Sequence, residues 1–348
     1  MATHMVINSE IALLEHRREF ANLVQARLDP GLFAFEANER LRMVFDLEMH
    51  LAFLGEAVRC DVSRIFVEYA IWTNQLLLSC GGNSLDFRAC LLAMDAQLEE
   101  SGRGAWVVVA RHCLAEGLRQ LDIAQPVSQS YLTSDNPHLI LANTFLNDCL
   151  TLRRGQALES IQNAIAGGTS VKEIYFHVIT PVMHELGRLW HLNQITIGLE
   201  HYCTAVAQMV MSQLFPLLFD GSVKKKRLVS ACVAGELHEI GARMVSDLFE
   251  LHGWDTVFLG ADVPVDSVVD VVIQHNANVV AISLTLCANL GAVSRLIAAV
   301  RAKPECIKVK ILVGGAAFNV DGSLWQRLGA DGWAKDAQVA IALTNSWS

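Results

Sequence analysis

The sequence predicts an α + α/β chain: an all-helical N-terminal domain of globin size, a four-helix bundle, and a doubly wound domain on a parallel sheet. Three observations lead there. Apolar residues recur at spacings of three and four from about residue 8 to residue 220. After Lys226, short β-branched runs alternate with helix-length segments. Glycines and small hydroxyl residues stand where those runs end, at the edge where a parallel sheet opens its ligand crevice.

In the first domain, Met43, Val44, Leu47, Leu51, Leu54 and Val58 make one apolar helix stripe. A second helix is expected over 63–78, capped by Asp61 or Ser63 and stopped by Gly81-Gly82. Helices over 86–99 and 105–121 follow, and a Pro-, Ser- and Asn-containing linker around Pro126 and Pro137 ends the domain near residue 130. Helices over 139–152, 155–166, 171–190 and 195–217, joined by short turns, predict an antiparallel bundle over 136–220. Over 226–348, the runs LVSACVA, TVFLG, VVAISL and KILVGG supply the strands of a Rossmann-like sheet.

At 348 residues, with 52% hydrophobic and 18% charged residues, the chain is long enough for two or three cores. No apolar run has the eighteen or so residues that a membrane helix needs. The N-terminus lacks a basic start followed by an apolar run, so a cytoplasmic protein with no membrane partner is expected. Nine scattered cysteines without a CxxC pair fit buried thiols in a reducing compartment. A net charge of −9 argues against nucleic acid as a partner, and Lys224-Lys225-Lys226-Arg227 reads as a solvated linker.

The chemistry concentrates at the first βα junction, Val233-Ala234-Gly235-Glu236-Leu237-His238-Glu239-Ile240-Gly241. A histidine on such a loop faces the crevice, and Glu236 can take the proton of one ring nitrogen, making the other a better metal ligand. Gly241 lets the next helix lie close to whatever fills the crevice. Ser283 and Thr285 at the third strand end, and Gly314-Gly315 at the fourth, leave a slot without bulky side chains.

This set resembles the cobalamin-binding domain of methionine synthase, the corrinoid methyl carriers and the base-off mutases. The resemblance implies His238 as the lower axial cobalt ligand, in place of the cofactor's own dimethylbenzimidazole. It implies Ser283, Thr285, Gly314 and Gly315 as the lining of the nucleotide-tail slot. Glu236 stands where the family more often has Asp.

Trp190-His191-Leu192-Asn193-Gln194-Ile195-Thr196-Ile197-Gly198-Leu199-Glu200-His201 resembles the Trp-x9-Glu-His signature of CarH-type cobalamin photoreceptors. That resemblance implies adenosylcobalamin, with Trp190 over the adenosyl group, Glu200 bonded to it and His201 in support. His191 would bind cobalt once light breaks the cobalt–carbon bond, giving bis-histidine ligation with His238.

In the first domain, Asp46, Glu48 and His50 share a helix and Trp72 lies on the next. They read either as ordinary surface or as a pocket for a second planar chromophore. A helical domain joined to a cobalamin module, without the basic DNA-binding domain of CarH-type repressors, resembles the photocobilins. Biliverdin held by Asp46, His50 and Trp72 is then implied. The expected function is a non-enzymatic light sensor, a homo-oligomer whose assembly shifts with light and which signals to an unknown downstream protein. The alternatives are a corrinoid methyl carrier of a methyltransferase system and a cobalamin-responsive adaptor indifferent to light.

Overall fold

The computed structural model describes residues 9–28, 37–123, 129–218 and 226–347. Lys224 and Lys225, and Pro126 of the linker, lie outside them. The chain forms two compact units. One holds residues to Pro126 with Leu286–Gly291 and Val320–Arg327; the other holds Val127–Thr285, Ala292–Asn319 and Leu328–Ser348.

The first unit is built from α1 (Glu10–Glu15), α2 (Arg17–Gln25), α3 (Ala37–Arg59), α4 (Arg64–Ser79), α5 (Ser84–Ser101) and α6 (Trp106–Leu121). The stripe read from the sequence is its core: Val44, Leu47, Leu51, Leu54 and Val58 are buried with Phe20, Phe66, Phe87 and Leu114. Each such side chain contributes about 1.5–3 kcal/mol on leaving water. Ser63 occupies the cap of α4 without a side-chain hydrogen bond, and Asp61 turns the chain at φ 51°. At the other end of α4, Gly81 at φ +80° lets the Gly82 amide bond back to the Leu77 carbonyl.

In the second unit the bundle comprises α7 (Leu139–Leu150), α8 (Arg154–Ala166), α9 (Val171–Ile174), α10 (Thr180–His191) and α11 (Ile197–Leu214). The helix expected over 171–190 is therefore interrupted, by a π-helical turn at Tyr175–Ile179. Pro181 has no N–H to give the His177 carbonyl four residues back, and the Asn136 side chain donates to that carbonyl instead at 2.8 Å.

Then come β1 (Lys226–Cys232), α12 (Ile240–Leu251), β2 (Trp254–Phe258), α13 (Val265–Gln274), β3 (Val279–Ser283), α14 (Leu290–Arg301), β4 (Lys310–Gly314), α15 (Leu324–Leu328), β5 (Gly332–Ala334) and α16 (Ala337–Asn345). All pairings are parallel, in the order β2-β1-β3-β4-β5. The doubly wound Rossmann-like fold is thus present, with β5 as a short strand beyond those read from the sequence.

The register sets Cys232, Ser283, Gly314 and Ala334 in one row across the strand ends. The strand order reverses between β1 and β3, the place where such sheets bind ligands. Bundle and sheet share one apolar core, in which Phe145, Tyr175, Ile179 and Val210 join Leu248, Phe249, Trp254 and Leu312. Among the described residues no helix is long and apolar enough to cross a membrane.

Candidate functional site

The loop after β1 opens on Gly235, at φ +84°. Its amide donates to Asp262 Oδ1 at 2.7 Å, while the Asp262 amide donates to the Glu236 carbonyl at 2.9 Å. These bonds lock the turn to the loop after β2, and turn the Glu236 side chain inward, where it is 0% exposed. A buried carboxylate needs donors, and Glu236 has at least three. Oε1 accepts the His238 amide at 2.9 Å and His238 Nδ1 at 2.5 Å. Oε2 accepts the Thr285 amide at 2.7 Å, from the far side of the β1–β3 switch point.

The His238 side chain remains 57% exposed. With Nδ1 on Glu236, its Nε2 has no hydrogen-bond partner among the described residues. The Glu236 hydrogen bond lifts the imidazole above its ordinary pKa against the opposing effect of burial, and the charges of Glu236 and Glu200 add to the rise. Glu200, on the bundle, therefore lies within electrostatic reach of His238. The ring is held by Nδ1 with its outer nitrogen presented, as it is where a carboxylate backs a metal-ligating histidine.

Around the loop the surfaces are open or small. A Cβ on Gly241 would meet nothing within 4 Å, whereas one on Gly315, at φ +95°, would stand 2.3 Å from the Leu284 carbonyl oxygen. Gly315 is demanded by the backbone, whereas the space over Gly241 is open. Ser283 and Thr285 are half-buried beside them. The structure so brings Glu236, His238, Gly241, Ser283, Thr285, Gly314 and Gly315 to the carboxyl edge of the sheet.

Over this loop runs α11, with a polar row at Glu200, Thr204, Gln208 and Ser212. Thr204 Oγ1 donates to Glu200 Oε1 at 2.8 Å, and Gln208 Nε2 to Glu239 Oε1 at 2.6 Å, next to His238. Arg243 Nη2 donates to Ser212 Oγ at 2.9 Å. Asp262, Thr204, Gln208, Glu239 and Arg243 were not singled out in the sequence. The four-residue spacing of polar side chains on an otherwise apolar helix was the signal for the row. His201 is exposed and bonds Glu200 Oε2 through Nδ1 at 2.7 Å. Trp190 is half-buried in the last turn of α10, and His191 beside it is only 7% exposed.

In the N-terminal unit His50 is a core residue. Its Nδ1 pairs with the Tyr69 hydroxyl at 2.6 Å and its ring meets Phe87 edge-on at 5.1 Å. Burial depresses its pKa to about 4. Asp46 and Trp72 lie at exposed positions, so the three residues read as a chromophore pocket divide between interior and surface.

Residues 226–342 match the family described as B12 binding domain, and residues 141–215 match a second family with the same description. Dimethylamine corrinoid protein 1 of Methanosarcina acetivorans is 26% identical over 198 residues, covering 56% of this chain and 90% of that protein. The dimethylamine corrinoid protein of Methanosarcina barkeri is 27% identical over 185 residues, covering 53% of this chain and 80% of that protein. The solved structure of the Methanosarcina barkeri monomethylamine corrinoid protein aligns with a TM-score of 0.52 at 22% identity, over 60% of this chain and 99% of that one, a likeness of fold. The cofactor class is thus the corrinoids.

The same relatives overturn the resemblance to CarH-type photoreceptors and photocobilins, because these are corrinoid proteins named for dimethylamine and monomethylamine. The light-sensor function and the light-dependent homo-oligomer fall with it, as does the light-driven part given to His191. The Trp190, Glu200 and His201 spacing does not by itself carry that function.

Proposed function

We propose that this chain is the corrinoid methyl-carrier protein of a methyltransferase system, with a methyltransferase subunit as its partner. The observation that carries the reading is the buried Glu236 holding His238 Nδ1 and leaving Nε2 open at the switch point. The names of the curated relatives support it. When bound, the corrinoid supplies a cobalt centre that accepts and gives up a methyl group.

The residues fit such a group: an imidazole aimed outward, a glycine with free space over it at Gly241, and a strand-end row of small residues. His238 Nε2 would bind the cobalt, with Glu236 holding Nδ1 and so fixing the orientation of the ring. Ser283, Thr285, Gly314 and Gly315 would hold the cofactor's nucleotide tail along the strand ends. Glu200 and Thr204 on α11, with His201 bonded to Glu200 and Trp190 at the end of α10, would be the bundle residues that meet the group. When His238 is not acting as a ligand, the Glu236–His238 pair holds a proton on the ring, consistent with its raised pKa. The chain binds and presents the group, and the transfer chemistry belongs to the partner enzymes.

The test is transfer of the methyl group from chain loaded with methylcobalamin in the dark, mixed with a thiol and a corrinoid-dependent methyltransferase. Release of one methyl per chain, lost in His238→Ala, is expected. Tight cobalamin binding with no transfer by wild type to any methyltransferase supplied would overturn the carrier reading.

A further inference from the structure

The N-terminal helices lie outside both matched regions, 141–215 and 226–342. Yet their unit contains a piece of the second region, Leu286–Gly291. That piece begins one peptide bond after Thr285, whose amide Glu236 holds. It runs through a tight 3₁₀ turn at Cys287–Asn289 into the first turn of α14, where the Gly291 amide donates to Glu56 Oε1 at 2.9 Å.

Glu56, on α3, is 3% exposed, and its Oε2 accepts from Arg59 Nε at 2.7 Å and is ion-paired with Nη2 at 2.6 Å. A carboxylate at this point satisfies an amide that has no partner within its own helix and meets the positive end of the helix dipole. It does so from 235 positions away in the sequence. Cys287 and Leu290 are buried beside it. At the sheet end, the Leu284 amide donates to the Gly314 carbonyl at 3.0 Å and the Ala317 amide to the Leu284 carbonyl at 3.2 Å. The stretch from Leu284 to Gly291 is therefore fixed at both ends, and the Thr285 amide that completes Glu236 sits within it.

We infer that Glu56 is a positioning residue for the cobalt ligand. By holding Gly291 it keeps the segment after β3 in place, so that the Thr285 amide stays on Glu236 and Glu236 stays on His238. Loss of the Glu56 contact thereby loosens the Thr285–Glu236–His238 chain, and with it how firmly His238 is offered to cobalt. This rests on the corrinoid reading of His238.

The test uses the full chain loaded with cob(II)alamin at a single pH, read by the nitrogen splitting that an axial imidazole gives in the electron paramagnetic resonance spectrum. In Glu56→Ala the ratio of histidine-bound to histidine-free cofactor should fall on the order of tenfold. Glu56→Gln, which keeps an acceptor without its charge, should fall between the two. Arg111→Ala breaks the Asp95 ion pair elsewhere in the same unit and should leave the ratio unchanged. A wild-type ratio in Glu56→Ala overturns the inference. If that variant does not fold, a wild-type ratio in Glu56→Gln overturns it equally. Wild-type protein without nitrogen splitting would instead refute the ligand role of His238, and this inference with it.

Discussion

Glu236 Oε2 accepts the Thr285 amide at 2.7 Å while its other oxygen holds His238 Nδ1 at 2.5 Å, so one buried side chain joins the loops of β1 and β3. The extra methylene that separates Glu from Asp gives the reach for both. Glu236→Ala leaves two amides and the imidazole without their acceptor, and cobalamin affinity should fall about 10–100-fold. Glu236→Asp, able to keep His238 but not Thr285, should lose less. An absorbance titration measures both, and wild-type affinity in the alanine variant would end the bridging role.

Gly315 and Gly241 predict opposite outcomes. Gly315→Ala forces a side chain into a left-handed backbone 2.3 Å from the Leu284 oxygen, and should cost roughly 1–3 kcal/mol or more in urea unfolding of the cobalamin-free protein. The Cβ of Gly241→Leu meets no atom within 4 Å and the change improves helix propensity, so the same measurement should give unchanged or slightly raised stability. Cobalamin binding should nevertheless weaken at least about tenfold, one unfavourable contact of about 1.4 kcal/mol being enough. Weakened apo stability with intact binding in Gly241→Leu would reverse its assignment.

These contrasts mark what could be read in the residues and what could not. His238, Ser283 and Gly314-Gly315 stood out because strand runs are β-branched and their ends are small, a pattern local to each motif. The Thr285 amide and the Gly291 amide are backbone donors, and no side-chain pattern announces which distant carboxylate they meet. β5 has only Gly332–Ala334, too short for a periodic signal. The π turn falls inside an unbroken apolar periodicity, with Pro181 as its one visible cause. His50 shares a helix face with Asp46, and only the packing of Tyr69 and Phe87 turned it into the core. For function, the strand-end motifs belong equally to several corrinoid proteins, and the Trp190–Glu200–His201 spacing tipped the choice toward light, which the relatives corrected.

The bundle is tied to α12 by Tyr175, whose buried hydroxyl donates to Asp247 Oδ2 at 2.7 Å. Burial holds the Asp247 carboxyl above its ordinary pKa, offset by this bond and by Arg243. Tyr175→Phe removes the donor from a carboxylate that remains buried, at a cost of about 1–3 kcal/mol. Tyr175→Phe with Asp247→Leu removes both partners and should recover part of the loss. Urea unfolding of the two variants checks the order, and a double variant no better than the single would place the loss in packing instead.

His50 gives the N-terminal unit a defined acid sensitivity. Burial lowers its pKa from 6.5 to about 4, while the unfolded chain keeps the ordinary value. Between those values the unfolded state binds the proton and the folded state does not, so stability rises with pH across this window. The contribution is complete above pH 6.5 and is lost as pH falls toward 4, amounting at most to about 3 kcal/mol. His50→Gln keeps a polar partner for the Tyr69 hydroxyl but does not titrate. Its thermal midpoint, followed by circular dichroism from pH 7 to pH 4, should therefore fall less steeply than that of wild type, even if it starts lower. Parallel curves for the two proteins would assign the acid sensitivity to other groups and leave His50 as packing alone.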